Sequence, residues 1–356
     1  METEFSRHGA LARIRLNRPH VLNALGPAQF PALHRQLTEW LADDGVGAIV
    51  VEGAGGRAFS AGGDIRVVWD GRDKVAANRS LFRAEYALDR LIHRLAKPYV
   101  ALLDGIVMGG GAGLSVNGPF QVVTERTVFA MPEAAIGFFP DVGATHFLSR
   151  CPGRVGLYLG LTGARLGAAD MIWAGLATHY VSSARLDKLK GELVAAAASA
   201  DPWSAVRETL GRAQEIPPAG VLQDRADAIN AYFGGPDIYA VMADVQTARV
   251  PWAVEAHERM SKASPTSLAV IFQQLTEGRT LEFEQAIARE YRMACAFLAA
   301  QDFYEGIRAA VVDKDWRPHW QPATLDEVSP HSVARYFVAV PDELTFDDGG
   351  CGGHQA

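Results

Sequence analysis

The stretch Tyr99-Val-Ala-Leu-Leu-Asp-Gly-Ile-Val-Met-Gly-Gly-Gly-Ala-Gly-Leu-Ser-Val116 decides the fold. Tyr99–Leu103 is a short, unbroken apolar run, the pattern of a strand buried on both faces. A glycine-rich turn follows it, and then a helical pattern near Ala112–Val116. Upstream the order repeats. Ala48–Val51 reads as a buried strand, residues 53–63 as a glycine turn, and Phe82–Leu95 as a helix with Tyr86, Leu88, Leu91, Ile92 and Leu95 on its apolar stripe. Leu11–Leu16 alternates as a half-buried strand, and Phe30, Leu33, Leu37 and Trp40 recur at helical spacing. Gln121–Thr124 and Val128–Ala130 add further strands. Strands alternating with helices predict an α/β fold of repeated β-β-α units over residues 1–183.

The texture changes after Val181. Residues 185–310 are helical in pattern, with joints at Pro217-Pro218 and Gly234-Gly235-Pro236. A mainly helical region over 184–340 is expected, and a disordered tail over 341–356, most plainly in its glycine-rich last ten residues. At 356 residues the chain suits one large domain with a helical extension, or two domains.

Apolar residues make up 49% of the chain, enough for a full core, and the net charge of −7 argues against a nucleic-acid or anionic-membrane surface. Cys151, Cys295 and Cys351 form no CxxC pair, which disfavours a disulfide framework or a zinc knuckle and suits a reducing compartment. No run of 18 apolar residues appears and the N-terminus carries no apolar signal region. A soluble, cytoplasmic protein is expected.

Three segments carry chemistry. Ser60-Ala-Gly-Gly-Asp-Ile65 and Met108-Gly-Gly-Gly-Ala-Gly113 each sit between a strand and a helix, where unpaired N–H groups and the helix dipole suit a developing oxyanion. Met131-Pro-Glu-Ala-Ala-Ile-Gly-Phe-Phe-Pro-Asp-Val-Gly143 sets Glu133 and Asp141 among apolar residues, each behind a proline. A carboxylate there is costly unless paired or used. Glu133 has the character of a general base or a nucleophile. Asp141 also resembles a helix N-cap for residues 142–149. By pattern alone Glu85 is a surface helix residue. The Rossmann spacing fails at Val116, the nucleophile elbow fails at Asn117, and no P-loop lysine follows either turn. No histidine pair has metal-ligand spacing.

Ala58-Phe-Ser-Ala-Gly-Gly-Asp-Ile65, Gly105-Ile-Val-Met-Gly-Gly-Gly111 and Phe129-Ala-Met-Pro-Glu-Ala-Ala-Ile-Gly137 resemble the crotonase (enoyl-CoA hydratase/isomerase) superfamily. The likeness runs from about Leu11 to about Pro322. Phe82–Tyr86, Met131–Gly143, Leu161-Thr-Gly163, Ala174–His179, Ser264–Ser267 and Phe303–Asp315 look like its thioester-hydrolysing branch.

The resemblance implies a spiral of β-β-α units binding an acyl-CoA. Its oxyanion hole would be the N–H groups of Gly63 and Gly110. Glu133 and Asp141 would be catalytic, and Glu85, Gly110, Glu133 and Asp141 would contact substrate. Asp141 would hold a 3-hydroxyl, with Met108, Phe138 and Phe139 lining the acyl pocket and Arg18, Arg57 or Arg66 near the CoA phosphates. No metal and no cofactor beyond the CoA of the substrate is implied, and homo-oligomers are common in the superfamily. Hydratases of this superfamily carry a second glutamate shortly after the triple glycine, where this chain has Gly113. The expected reaction is therefore hydrolysis of a short 3-hydroxyacyl-CoA. The alternatives are an enoyl-CoA hydratase or isomerase, and a non-catalytic acyl-CoA-binding protein.

Overall fold

The computed structural model describes residues 2–346. The expected tail residues 347–356 lie outside the described residues.

The chain opens with strands β1 (Thr3–His8) and β2 (Leu11–Leu16), then helix α1 (Gln29–Ala42). Three β-β-helix turns follow. The first is β3 (Ala48–Gly53), β4 (Ala58–Ser60), α2 (Ile65–Asp70) and α3 (Val75–His93). The second is β5 (Tyr99–Leu103), β6 (Ile106–Met108) and α4 (Gly110–Val116). The third is β7 (Phe120–Val123), β8 (Val128–Ala130), a 3₁₀ turn over Glu133–Ile136 and α5 (Ala144–Phe147). Helix α6 (Val155–Thr162) and the short β9 (His179–Tyr180) complete this part.

Two sheets result. The larger has the order β1-β2-β3-β5-β7-β9, antiparallel only between β1 and β2. The smaller has the order β4-β6-β8 and is wholly parallel, with Ala58 opposite Ile106 and Met108 opposite Ala130. Each β-β-helix turn thus gives its first strand to one sheet and its second to the other.

The apolar runs in β3, β5 and β7 are needed because both faces of the larger sheet are covered. Ile49, Val51, Ala101, Leu103 and Val123 face the main core with Leu33, Leu37, Leu88 and Ile92 of α1 and α3. Val50, Val100, Leu102 and Val122 face a second layer built by Leu189, Leu193, Val206 and Leu210. Those last four lie on helices Leu186–Ala197 and Pro202–Ala213.

The later helices return to the site side. Helix Pro265–Glu277 packs on α6 and helix Phe283–Phe297 packs on α3. The main core draws residues from both sides of position 183. Residues 341–346, which the sequence groups with the tail, lie against this body. Leu344 is buried, and Glu343 pairs with Arg292 at 3.0 Å.

Leu193 is buried in the outer layer, away from the turns between the sheets. Leu193→Ala should cost about 2–5 kcal/mol of stability, read as a lower melting midpoint. The folded fraction should keep its catalytic constants; a change in them would give the outer layer a role in the site.

Candidate active site

All three motifs leave the C-terminal ends of neighbouring parallel strands. Strand β4 runs into Ala61-Gly62-Gly63, β6 into Gly109-Gly110, and β8 into Met131-Pro132-Glu133. Their common direction and register deliver the three turns to one edge, the usual place for a ligand crevice in such sheets.

The first two turns place two N–H groups in one small space. A methyl built on Gly110 would lie 3.3 Å from Gly63 N, and one on Gly62 would lie 3.2 Å from Gly110 N. The bridge between Leu25 and Gly63 leaves the Gly63 N–H unused, because its bonds run from Leu25 N to Gly62 O and from Asp64 N to Leu25 O. Gly110 opens α4, so its N–H has no partner within the helix. A side chain at 110 would overlap the Glu85 carboxylate as packed and force it to move.

A cavity of about 280 Å³ opens at this edge. Gly63, Glu85, Gly110, Glu133 and Asp141 all line it, within apolar walls that include Met108, Phe138 and Phe303. It has room for the short acyl end of a thioester and not for a whole CoA. Phe139 faces elsewhere: it is fully buried and stacks on Phe297 at 5.3 Å between ring centroids. Its neighbour Phe138 takes the cavity wall instead. The three arginines considered for the phosphates stand outside this lining: Arg18 pairs with Asp64 at 3.1 Å, Arg66 with Asp70 at 3.4 Å, and Arg57 is exposed.

Glu133 starts the 3₁₀ turn and is 6% exposed. Its Oε2 is buried with no hydrogen-bond partner. Burial, and secondarily the charge of Asp141, push its pKa well above the usual carboxylate range. Asp141 accepts a 2.8 Å hydrogen bond from the Tyr86 hydroxyl. Burial raises its pKa to about 7, against the lowering effect of the Tyr86 hydroxyl. Glu85 is buried rather than on the surface, and burial followed by the Asp141 charge raises its pKa. The helical stripe pattern missed it because α3 is covered on more than one side.

Asp141 does not cap the following helix. Gly143 holds that position, with a left-handed φ of 92°, and α5 starts at Ala144. Val142 is left-handed too, at φ 55°. A β-branched residue there is strained by roughly 1–3 kcal/mol.

Several residues around the site carry no local sequence signal. Glu290 is fully buried and accepts N–H bonds from Gly143 and Thr145. Asp89 is buried beside Gly113. Arg308 binds Glu305, Asp313 and Asp315, and so ties together the segment that bears Trp316 on the cavity wall. At Gly113 a side chain would overlap the Asp89 carboxylate and come within 2.8 Å of Val142 Cβ. The position is closed to an acid as packed.

A family model described as enoyl-CoA hydratase/isomerase matches residues 11–337. The chain belongs to the enoyl-CoA hydratase/isomerase family.

Among its relatives, a Xenopus laevis protein named 3-hydroxyisobutyryl-CoA hydrolase, mitochondrial, is 41% identical over 94% of this chain and 88% of its own length. The Homo sapiens protein of the same name is 40% identical over 95% of this chain and 89% of its own length. Among solved structures, a carnitinyl-CoA dehydratase from Mycobacterium thermoresistibile superposes with TM-score 0.91 at 36% identity, covering 97% of this chain and 99% of that one. An enoyl-CoA hydratase from Rhodobacter sphaeroides superposes with TM-score 0.91 at 34% identity, covering 97% and 100%.

The site's electrostatics make a prediction about stability. Folded Asp141 titrates at about 7 and Glu290 at about 8, against about 3.9 and 4.3 in unfolded chains. Between those limits the folded protein holds more protons than the unfolded one, so its stability falls as pH rises. The melting midpoint of the ligand-free protein should drop from pH 5 to pH 8, and Asp141→Asn should flatten that slope. A midpoint that climbs through the window would contradict it.

Proposed function

We propose that this chain hydrolyses 3-hydroxyisobutyryl-CoA to 3-hydroxyisobutyrate and CoA, a step of valine breakdown. The observation that carries this reading is the unpaired carboxylate oxygen of Glu133, in an apolar-walled cavity beside two neighbouring backbone N–H groups. The names of the relatives at about 40% identity support the same substrate.

In this reading the thioester carbonyl oxygen sits between the N–H groups of Gly63 and Gly110. They polarise the carbon and hold the tetrahedral oxyanion, each donor contributing about 3 kcal/mol. Glu133 takes the proton of a water whose oxygen bonds to the acyl carbon. The C–S bond then breaks and the proton passes to the departing sulfur. In a second route the Glu133 carboxylate bonds to the acyl carbon first, the C–S bond breaks and CoA leaves as a thiolate protonated by water. A second water then cleaves the anhydride to return the Glu133 carboxylate and the product acid. Asp141, fixed by Tyr86, receives the 3-hydroxyl and orients the acyl group. Glu85 lies against Gly110 and borders the carbonyl site. The reaction calls for no cofactor beyond the CoA that the substrate brings.

The nearest alternative is hydration of an enoyl-CoA, the activity for which one solved neighbour is named. Adding water across a double bond needs a second acid, and the packed Gly113 supports its absence here. Among the described residues no helix is long and apolar enough to cross a membrane. Two buried free thiols, Cys151 and Cys295, suit a reducing compartment, and we place the enzyme in the cytoplasm, whereas the relatives' names say mitochondrial.

Glu133→Gln should abolish most thiol release from 3-hydroxyisobutyryl-CoA, by a hundredfold or more; near-normal release would sink the assignment. A single turnover in ¹⁸O water tests the second route. Label in the Glu133 carboxylate marks an anhydride cleaved at its glutamyl carbon. Label in the product alone is common to direct attack and to cleavage at the acyl carbon, and a Glu133 hydroxamate trapped with hydroxylamine then marks the anhydride. Loss of the ultraviolet band of crotonyl-CoA without free thiol would favour the hydratase.

The pH profile gives an independent check. Glu133 must be ionised to act, so activity should rise with pH along an acid limb above the usual carboxylate range. Asp141→Asn removes a neighbouring negative charge and should move that limb to lower pH. An unmoved limb would detach it from Glu133.

A further inference from the structure

We infer that Glu290, 149 residues away in sequence, is a positioning residue that holds Asp141 in its substrate-binding geometry. The inference rests on the proposed role of Asp141 as the group that receives the substrate's 3-hydroxyl.

Glu290 lies on the helix Phe283–Phe297 and is absent from the cavity lining. Its carboxylate accepts two backbone bonds, from Gly143 N to Oε2 and from Thr145 N to Oε1, each 2.7 Å. Gly143 ends the turn that follows Asp141, and Thr145 lies in the first turn of α5. A full charge or a shared proton in a fully buried place is costly unless it is used, and here both oxygens are spent on the segment after Asp141.

The turn needs such a hold. Val142 sits in the left-handed region at φ 55°, which a β-branched residue avoids. Left to itself, the backbone would relax toward an ordinary φ and swing the adjoining Asp141. Two further buried side chains grip the same turn. Gln274 donates to Pro140 O at 2.7 Å, and Asn117 donates to Val142 O at 2.9 Å. Tyr86 fixes the Asp141 side chain itself at 2.8 Å. Among the four, Glu290 alone takes two main-chain N–H groups, so it sets the direction of the backbone rather than one atom of it.

Glutamine cannot replace it fully. The amide oxygen accepts one of the two N–H bonds, while the amide nitrogen is a donor facing a donor. Glu290→Gln should therefore leave the Glu133 chemistry in place and loosen Asp141.

The readout is acyl selectivity: kcat/KM for 3-hydroxyisobutyryl-CoA divided by kcat/KM for isobutyryl-CoA, which lacks the hydroxyl. Wild type, Asp141→Asn and Glu290→Gln are measured together. Asp141→Asn should bring the ratio close to one. Glu290→Gln should lower it at least fivefold, mostly through the hydroxylated substrate, with isobutyryl-CoA cleaved within about twofold of wild type.

If Asp141→Asn collapses the ratio and Glu290→Gln leaves it intact, or slows both thioesters equally, the positioning role is overturned while the reading of Asp141 stands. If Asp141→Asn itself spares the ratio, the reading of Asp141 fails and takes the inference with it. Hydrogen exchange on the wild-type protein covers the case in which Glu290→Gln does not fold. The amides of Gly143 and Thr145 should be among the slowest of the chain, and exchange at the rate of exposed turns would overturn the clamp.

Discussion

The parallel register of three short strands is what the rest of the site depends on. Strands β4, β6 and β8 contribute three residues each, too few to be a stable sheet alone. They are held because each continues a β-β turn from the larger sheet, whose strands are buried on both faces. Since the three run in the same direction, the segments leaving them emerge at one edge. Gly63, Gly110 and Glu133 meet for that reason, although they span 71 positions of sequence. Backbone hydrogen bonding thus places two donors and a carboxylate without any direct contact among their motifs.

The second constraint is electrostatic. Glu85, Asp89, Glu133, Asp141 and Glu290 are all buried, and none takes part in a salt bridge among the described residues. Their pKa values are all raised, with burial as the largest cause in each case. Each group that ionises makes the next ionisation harder. Partners then decide which ones carry charge most easily. Tyr86 favours the charge on Asp141, and two N–H groups favour it on Glu290. Glu133 has no partner on Oε2 and lines the cavity, which leaves that oxygen available to a substrate.

What the sequence made legible was local. Strand, glycine turn and helix succeed one another within about twenty residues, and their periodicities are readable directly. Glu133 and Asp141 stood out because charge in an apolar run is a local anomaly. Glu85 was misread as a surface residue because one helical stripe says nothing of a second covering layer. Asp141 resembled an N-cap because Asp before a helix usually is one, and the left-handed Val142 and Gly143 that push the cap two residues on are set by Glu290, Asn117 and Gln274. Those residues sit on other helices, where no pattern points back to residue 141. Phe138 and Phe139 were alike in sequence and both pack on Phe297 at 5.3 Å; the stacking of Phe138 on Phe303 at the cavity wall is what separates wall from core.

The contact between Gly113 and Asp89 has a consequence for how this chain can change. A side chain at 113 collides with the Asp89 carboxylate, so neither position is free to vary alone. An acid at 113 needs room from both Asp89 and Val142, whose Cβ would stand 2.8 Å away, and Asp89 shrunk alone leaves a void beside the buried helix α4. The positions form an epistatic set, so gaining the second acid that hydration needs takes coordinated changes rather than one.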